Sequence, residues 1–180
     1  MAIAYVGLGS NLGDRLSNLD RAVQGLSVLP HSSLLKASGV YETQPVGGPP
    51  GQGRFLNAVV VLLTGQEPVD LLASLKSLES RLGRQPGQRW GPRVIDLDLL
   101  AYDELVLDGP ELSLPHPRLC ERLFVLVPLA EVAPDWVHPV SRRSVGELLR
   151  LQAAGRTAME RRPDVALGAP APAVPRAVKP

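Results

Sequence analysis

The sequence is short of several residue types, and each shortage excludes a class of protein. A single cysteine, Cys120, stands in 180 residues, so neither an internal disulfide nor a multi-cysteine metal site can form, and a reducing compartment is expected. Aromatic residues make up only 4% of the chain against 44% hydrophobic residues overall, so the core must rest on Leu, Val, Ala and Ile. Charge of one sign is also lacking: 19 basic residues face 18 acidic ones, a formal net charge of +1. That balance argues against a general nucleic-acid binder and requires any strong positive field to be local. No uncharged apolar run approaches 18 residues, and residues 1–7 offer neither a basic leader nor a signal-length apolar segment. A soluble cytoplasmic protein without a membrane span is the expectation.

What is present suits one domain. Residues 2–7 form a short apolar run bounded by Gly7, Gly9 and Gly13, as expected of a buried strand entering a turn at the edge of a site. Asp14 is a candidate helix cap, and Leu16, Leu19, Ala22, Val23, Leu26 and Leu29 follow at helical spacing until Pro30. Residues 34–43 read as one strand and 44–53 as a Gly/Pro loop of functional length. Residues 55–64 read as a further strand. Pro68 opens a second helix carrying Leu71, Leu72, Leu75, Leu78, Glu79 and Leu82, closed by Gly83. A second polar loop, 84–92, leads into a strand over 93–102. The order βαββαβ matches an α+β, ferredoxin-like sandwich: an antiparallel sheet with the helices packed on it. A hairpin at Asp108-Gly109 and short helices near 123–132 and 145–151 extend it at the C-terminal end. The folded domain is placed at 1–155, and the Ala/Pro-rich tail, 156–180, is expected to be disordered.

The densest chemical signal is the run Arg89-Trp90-Gly91-Pro92-Arg93-Val94-Ile95-Asp96-Leu97-Asp98. Side chains alternate along a strand, so Asp96 and Asp98 share one face, roughly 6–7 Å apart, while Ile95, Leu97 and Leu99 take the other. Two carboxylates so placed can share a hard cation or bridge a pair, and oxygen-only ligands favour magnesium over zinc. Arg84, Arg89 and Arg93 lie close by in sequence. Guanidinium groups match phosphate oxygens while a metal neutralises charge on a breaking phosphorus–oxygen bond, so the run reads as magnesium-assisted phosphoryl chemistry. Ordinary surface ion pairs explain a lone Asp-x-Asp, but not the accompanying Trp90, Gly-Pro turn and apolar flanks. Gly7-x-Gly9-x-x-x-Gly13 is neither a dinucleotide fingerprint nor a P-loop: its last glycine is one position late, and no Gly-Lys-Ser/Thr follows. Phe55 and Asn57 share a strand face and suit a flat heterocycle, although a core aromatic and a strand-end amide explain that pair alone better. Phe124 offers a second plate. His116, between Pro115 and Pro117 with Arg118 and Arg122 close behind, has no nearby Ser or Cys to complete a nucleophilic arrangement.

Together these residues resemble the 6-hydroxymethyl-7,8-dihydropterin pyrophosphokinase family of folate biosynthesis. The resemblance runs over about residues 2–151 and is carried by Gly7-Leu8-Gly9-Ser10-Asn11-Leu12-Gly13-Asp14, Tyr41-Glu42-Thr43, Phe55-Leu56-Asn57-Ala58, Glu79 through Gly83-Arg84, and Pro115-His116 through Arg122, Phe124 and Pro128-Leu129. Above all it is carried by Arg-Trp-Gly-Pro-Arg-x-x-Asp-x-Asp. The resemblance implies attack of the pterin hydroxymethyl oxygen on the β-phosphorus of ATP, transfer of diphosphate and release of AMP. It implies that Asp96 and Asp98 bind two magnesium ions, and that Arg84, Arg89, Arg93, His116 and Arg122 hold the triphosphate, Arg84 and Arg93 acting in catalysis with the aspartates. Glu79, Trp90, Leu99 and Ser113 would lie around the nucleotide. Phe55 and Phe124 would sandwich the pterin, with Asn57 on its polar edge and Thr43 and Val46 contributing backbone groups. A monomer acting on small molecules is implied. Gln85-Pro86-Gly87-Gln88 stands where some members carry another arginine, and Pro117 where some carry an aromatic.

Two readings from other classes compete. A nucleotide or metal sensor on the same fold would bind ATP without producing AMP. A nucleic-acid-binding ferredoxin-like module would need a basic surface and exposed aromatics on strand faces, and the sequence supplies neither.

Overall fold

The computed structural model describes residues 1–88, 90–152, 159–164 and 167. Its centre is β1 (Ala2–Ser10), whose small and β-branched residues suit a strand covered on both faces. Helix α1 (Arg15–Ser27) follows, with Asp14 Oδ1 accepting the Ser17 N–H at 3.1 Å as its N-cap. Next come β2 (Ser32–Ala37), β3 (Val40–Thr43) and the long β4 (Phe55–Thr64). Helix α2 (Pro68–Arg81) has Pro68 at its first position and leads to β5 (Asp96–Tyr102). A two-strand ribbon, β6 (Leu107–Asp108) and β7 (Ser113–Leu114), precedes α3 (Leu123–Val132), α4 (Val145–Gln152) and β8 (Met159–Arg162).

The sheet runs β5-β1-β4-β3-β8, with β2 also paired to β4, and β1 is antiparallel to both β4 and β5. This is the ferredoxin-like sheet. Strand alternation divides the core between its two faces. Ala4, Val6, Leu8, Ala58, Val60 and Leu62 pack with Leu19, Leu26, Leu71 and Leu75 of α1 and α2. Tyr5, Val59 and Val61 pack instead with Leu126 and Leu129 of α3 and Leu148 of α4. The C-terminal helices therefore cover the second face of the sheet, at the end of which the cleft opens.

Four expectations change. Strand β1 runs on through Gly7 and Gly9 to Ser10, because both glycines keep extended pairing with β4 and β5; among the three, only Gly13, at φ +69°, has a turn conformation. The single strand expected over 34–43 is broken at Ser38-Gly39. There the Ser38 hydroxyl accepts the Val59 N–H at 2.9 Å, and Glu131 of α3 accepts the Gly39 N–H at 2.6 Å. Strand β5 begins at Asp96 rather than at residue 93, since the Arg93 backbone pairs with Asn11 across the loop instead. The tail expected to be disordered from 156 contributes β8, paired antiparallel with β3, and Leu167, which is buried in the larger core. An ion pair from Arg161 to Glu131 at 3.2 Å helps to hold β8. Residues 156–158, 165–166 and 168–180 of that tail lie outside the described residues.

Ser38→Ala removes the acceptor for a buried backbone N–H. It should lower unfolding stability by about 1–3 kcal/mol in urea titration; no change would show that Val59 tolerates an unpaired N–H.

Candidate active site

Strand β5 is a sheet edge, which leaves one row of its backbone groups without a neighbouring strand. Helix α2 supplies the missing partners at Leu97. Glu79 Oε1 accepts the Leu97 N–H at 2.6 Å, and Lys76 Nζ donates to the Leu97 carbonyl at 2.9 Å. Glu79 is 2% exposed, so its carboxylate lies beneath the cleft rather than in its wall. The end of α2 also sets the first arginine. Gly83, at φ +98°, follows the helix; its N–H reaches the Ser80 carbonyl and the Arg84 N–H reaches that of Glu79. This Schellman closure delivers Arg84 onto Glu79 and Asp96.

With Leu97 and Leu99 buried, Asp96 and Asp98 face the cleft, as strand alternation requires. Asp96 is clamped: Arg84 Nη1 reaches Oδ1 and Arg93 Nη1 reaches Oδ2, each at 2.6 Å. Asp98 is more open, with Arg122 at 3.9 Å and Lys76 at 4.0 Å. It borders two adjoining clefts, of about 780 and 560 Å³ of open space.

The first cleft brings together Thr43, Val46, Phe55, Asn57, Trp90, Arg93, Asp96, Arg122 and Phe124 from strands, loops and α3. Its floor depends on Gly9: a Cβ there would stand 3.4 Å from Asn57 Oδ1 and 3.7 Å from Phe55 Cδ1, between the polar and aromatic walls. Asn57 is buried and donates through Nδ2 to Thr43 Oγ1 at 2.8 Å, which orients its amide. Two aromatic side chains and a fixed amide, separated from the aspartates by a bare glycine, can hold a flat polar ring.

The second cleft is lined by Leu72, Lys76, Asp98, Leu99, Ser113 and His116, among others. His116 Nδ1 accepts the Arg118 N–H at 3.1 Å, so in the neutral ring the proton sits on Nε2. Burial lowers the His116 pKa, with Arg122 and Arg118 adding to the shift and Asp98 opposing it. Arg122 is likewise disfavoured in its charged form, first by burial and then by Arg118. An anion in the cleft relieves both costs.

Two loops meet above the first cleft. Gln52 Nε2 donates to the Trp90 carbonyl at 3.0 Å, and its Oε1 accepts from Asn11 Nδ2 at 3.3 Å; Asn11 Oδ1 in turn accepts the Arg93 N–H at 2.7 Å. Trp90 adopts φ +61°, a conformation that costs a non-glycine residue about 1–2 kcal/mol. Its ring lies 5.8 Å from the Arg118 guanidinium. Arg89 lies outside the described residues.

The structure thus gathers the other sequence-predicted residues on or beneath the two clefts. Sequence reasoning missed Lys76 and Gln52. Lys76 carries a faint signal, three positions before Glu79 on one helix, whereas Gln52 in its loop carries none. Among the described residues no group of three His, Cys, Asp or Glu side chains forms. Two carboxylates on an open wall nevertheless fit a hard cation that takes its remaining ligands from phosphate and water, as magnesium does.

Glu79→Ala strips the acceptor from Leu97 and the partner from Arg84. It should cost about 3 kcal/mol of stability in urea titration; an unchanged midpoint would show that neither group depends on it. Gly48 has φ +84°, and a Cβ there would overlap the Trp90 carbonyl. Gly48→Ala should therefore separate the two loops, read as faster proteolysis within 84–92, and wild-type resistance would contradict this.

The model of the 7,8-dihydro-6-hydroxymethylpterin-pyrophosphokinase (HPPK) family matches residues 5–134. Proteins named 2-amino-4-hydroxy-6-hydroxymethyldihydropteridine pyrophosphokinase are similar in sequence. The one from Methylorubrum extorquens is 47% identical over 137 residues, 76% of this chain and 86% of the relative. The one from Bacillus subtilis is 45% identical over 130 residues, 72% and 77% of the two chains. In fold, the chain resembles a Plasmodium falciparum HPPK-DHPS crystal structure with TM-score 0.69 at 15% identity, covering 85% of this chain and 43% of that longer one. Family model and relatives agree: the chain belongs to the 7,8-dihydro-6-hydroxymethylpterin-pyrophosphokinase family.

Proposed function

We propose that the first cleft holds the pterin and the second the nucleotide, with reaction where they meet at Asp98. The reaction is transfer of diphosphate from ATP to the hydroxymethyl group of 6-hydroxymethyl-7,8-dihydropterin, a step of folate biosynthesis. The placement of Asp96 and Asp98 on one strand face, beside arginines and with Asp98 bordering both clefts, carries the assignment of the centre.

In this reading Phe55 and Phe124 sandwich the ring, Asn57 bonds its polar edge, and backbone groups near Thr43 and Val46 complete the pocket. Asp96 and Asp98 hold two magnesium ions, which neutralise the polyphosphate charge when bound. Arg84, Arg89, Arg93 and Arg122 hold phosphate oxygens, and His116 adds a neutral Nε2–H donor. Trp90, Leu99 and Ser113 lie around the nucleotide, while Glu79 supports Arg84 from below. The hydroxymethyl oxygen attacks the β-phosphorus, the bond from that phosphorus to the oxygen bridging the α-phosphate breaks, AMP leaves with that oxygen, and the hydroxyl proton passes to solvent. A loose phosphoryl transition state needs alignment and charge stabilisation more than a protein base, and both Asp96 oxygens are already engaged by arginines. Closure of the loops around Gln52 and Trp90 excludes water, the competing acceptor. The enzyme acts as a cytoplasmic monomer. Among the described residues, no helix is long and apolar enough to cross a membrane.

With magnesium, ATP and the hydroxymethyl dihydropterin, the protein should release AMP and a pterin diphosphate, resolved by mass. ADP as the sole nucleotide product would refute diphosphate transfer, and nucleotide binding without turnover would favour a sensor. Asp98→Ala should reduce turnover at least about a hundredfold with an unchanged circular dichroism melt; full activity would remove Asp98 from the metal site.

A further inference from the structure

Lys76 lines the second cleft together with His116, and neither the motif nor the proposed roles use the lysine. Two short contacts hold it. Its Nζ donates to the Leu97 carbonyl at 2.9 Å and pairs with the buried Glu79 carboxylate at 3.0 Å. So tethered, the ammonium stands 4.0 Å from Asp98 Oδ1, outside hydrogen-bond distance but well inside the range of a strong charge interaction. Asp98 is also the freer aspartate, since both oxygens of Asp96 are taken by arginines at 2.6 Å. A divalent cation arriving without nucleotide therefore finds Asp98 open in geometry but flanked by the Lys76 ammonium, which Glu79 also shares, and by Arg122.

We propose that Lys76 is a positioning residue that makes metal binding at Asp98 depend on nucleotide: it repels a free divalent cation and admits one that arrives with polyphosphate. The proposal rests on Asp98 being a metal ligand. Two positive centres around one carboxylate oppose each other, and the polyphosphate's added negative charge removes that opposition. Arg122, at 3.9 Å, exerts a similar field, but it also lines the first cleft, where Phe124 lies 5.5 Å from its guanidinium. Lys76 instead lines the nucleotide side and is anchored to backbone, so its charge can be removed with less disturbance. Its side chain is 44% exposed, but the contacts to the Leu97 carbonyl and to Glu79 hold the ammonium beside Asp98.

The test measures Mn²⁺ binding to the full chain by electron paramagnetic resonance, without nucleotide and with a non-hydrolysable ATP analogue. Lys76→Gln keeps a donor for Leu97 and removes the charge; Lys76→Arg keeps the charge. Without nucleotide, Lys76→Gln should bind Mn²⁺ about fivefold more tightly than wild type, the scale of a unit charge at this distance in a partly exposed site. Lys76→Arg should stay within about twofold of wild type, and the advantage of Lys76→Gln should vanish when the analogue is present. A structural role alone would lower stability in both variants without this difference in metal affinity. Equal affinities in wild type and Lys76→Gln, with binding lost in Asp98→Asn, overturn the role of Lys76 and leave the metal site standing. Binding unaffected by Asp98→Asn overturns the metal site itself, and the proposal with it. If Lys76→Gln fails to fold, Lys76→Met is measured against the same expectations, and failure of both while Lys76→Arg folds shows a structural role instead.

Discussion

The carboxylate of Glu79 joins the sheet edge to the cationic wall of the cleft. Buried at 2% exposure, it accepts from the Leu97 backbone and pairs with both Lys76 and Arg84. A carboxylate taken out of water is costly unless its lone pairs are filled. Here they are filled by the edge-strand amide and by the Lys76 and Arg84 cations. The same contact that protects an exposed sheet edge thus fixes where Arg84 meets Asp96. From there Arg93 continues the chain of charges, its backbone N–H held by Asn11 at the end of β1.

Around this anchor, strand alternation does most of the positioning. On β5, Leu97 and Leu99 are held by the α1/α2 core, so Asp96 and Asp98 must face the opposite side. The larger core therefore sets the direction of the carboxylates without touching them. On β1, Gly9 leaves space that any side chain would fill, and on β4 Phe55 and Asn57 flank that space. Helix α3 brings Phe124 to the other side. The walls of the first cleft are thus set by rigid elements, and two loops meet beside it through Gln52 and the Trp90 carbonyl.

Much of this was legible in the residues. Helix α2 carried its own start and stop at Pro68 and Gly83, and β4 and α3 fell where their apolar patterns placed them. The pairing of Asp96 with Asp98 followed from a period of two. Other features depended on partners distant in the chain. The break at Ser38 is stabilised by Val59 and Glu131, neither of which is a local signal. Met159–Arg162, followed by an Ala/Pro-rich segment, has little intrinsic reason to be a strand, yet it pairs with β3 and ties Arg161 to Glu131.

The sequence by itself determined the alternation of strands and helices apart from the split of 34–43, the carboxylate pair and the arginines near it, because each depends on residue type and on spacing within a few positions. Only the tertiary structure decided how they work together. It put Glu79 beneath the cleft, clamped Asp96 between two arginines while leaving Asp98 open, and placed Lys76 beside it. It also covered the second sheet face with the C-terminal helices. The physical reason is the same in each case. An edge strand's unpaired backbone groups and a buried charge must both be satisfied, and which side chains do so depends on the packing of α2 against β5.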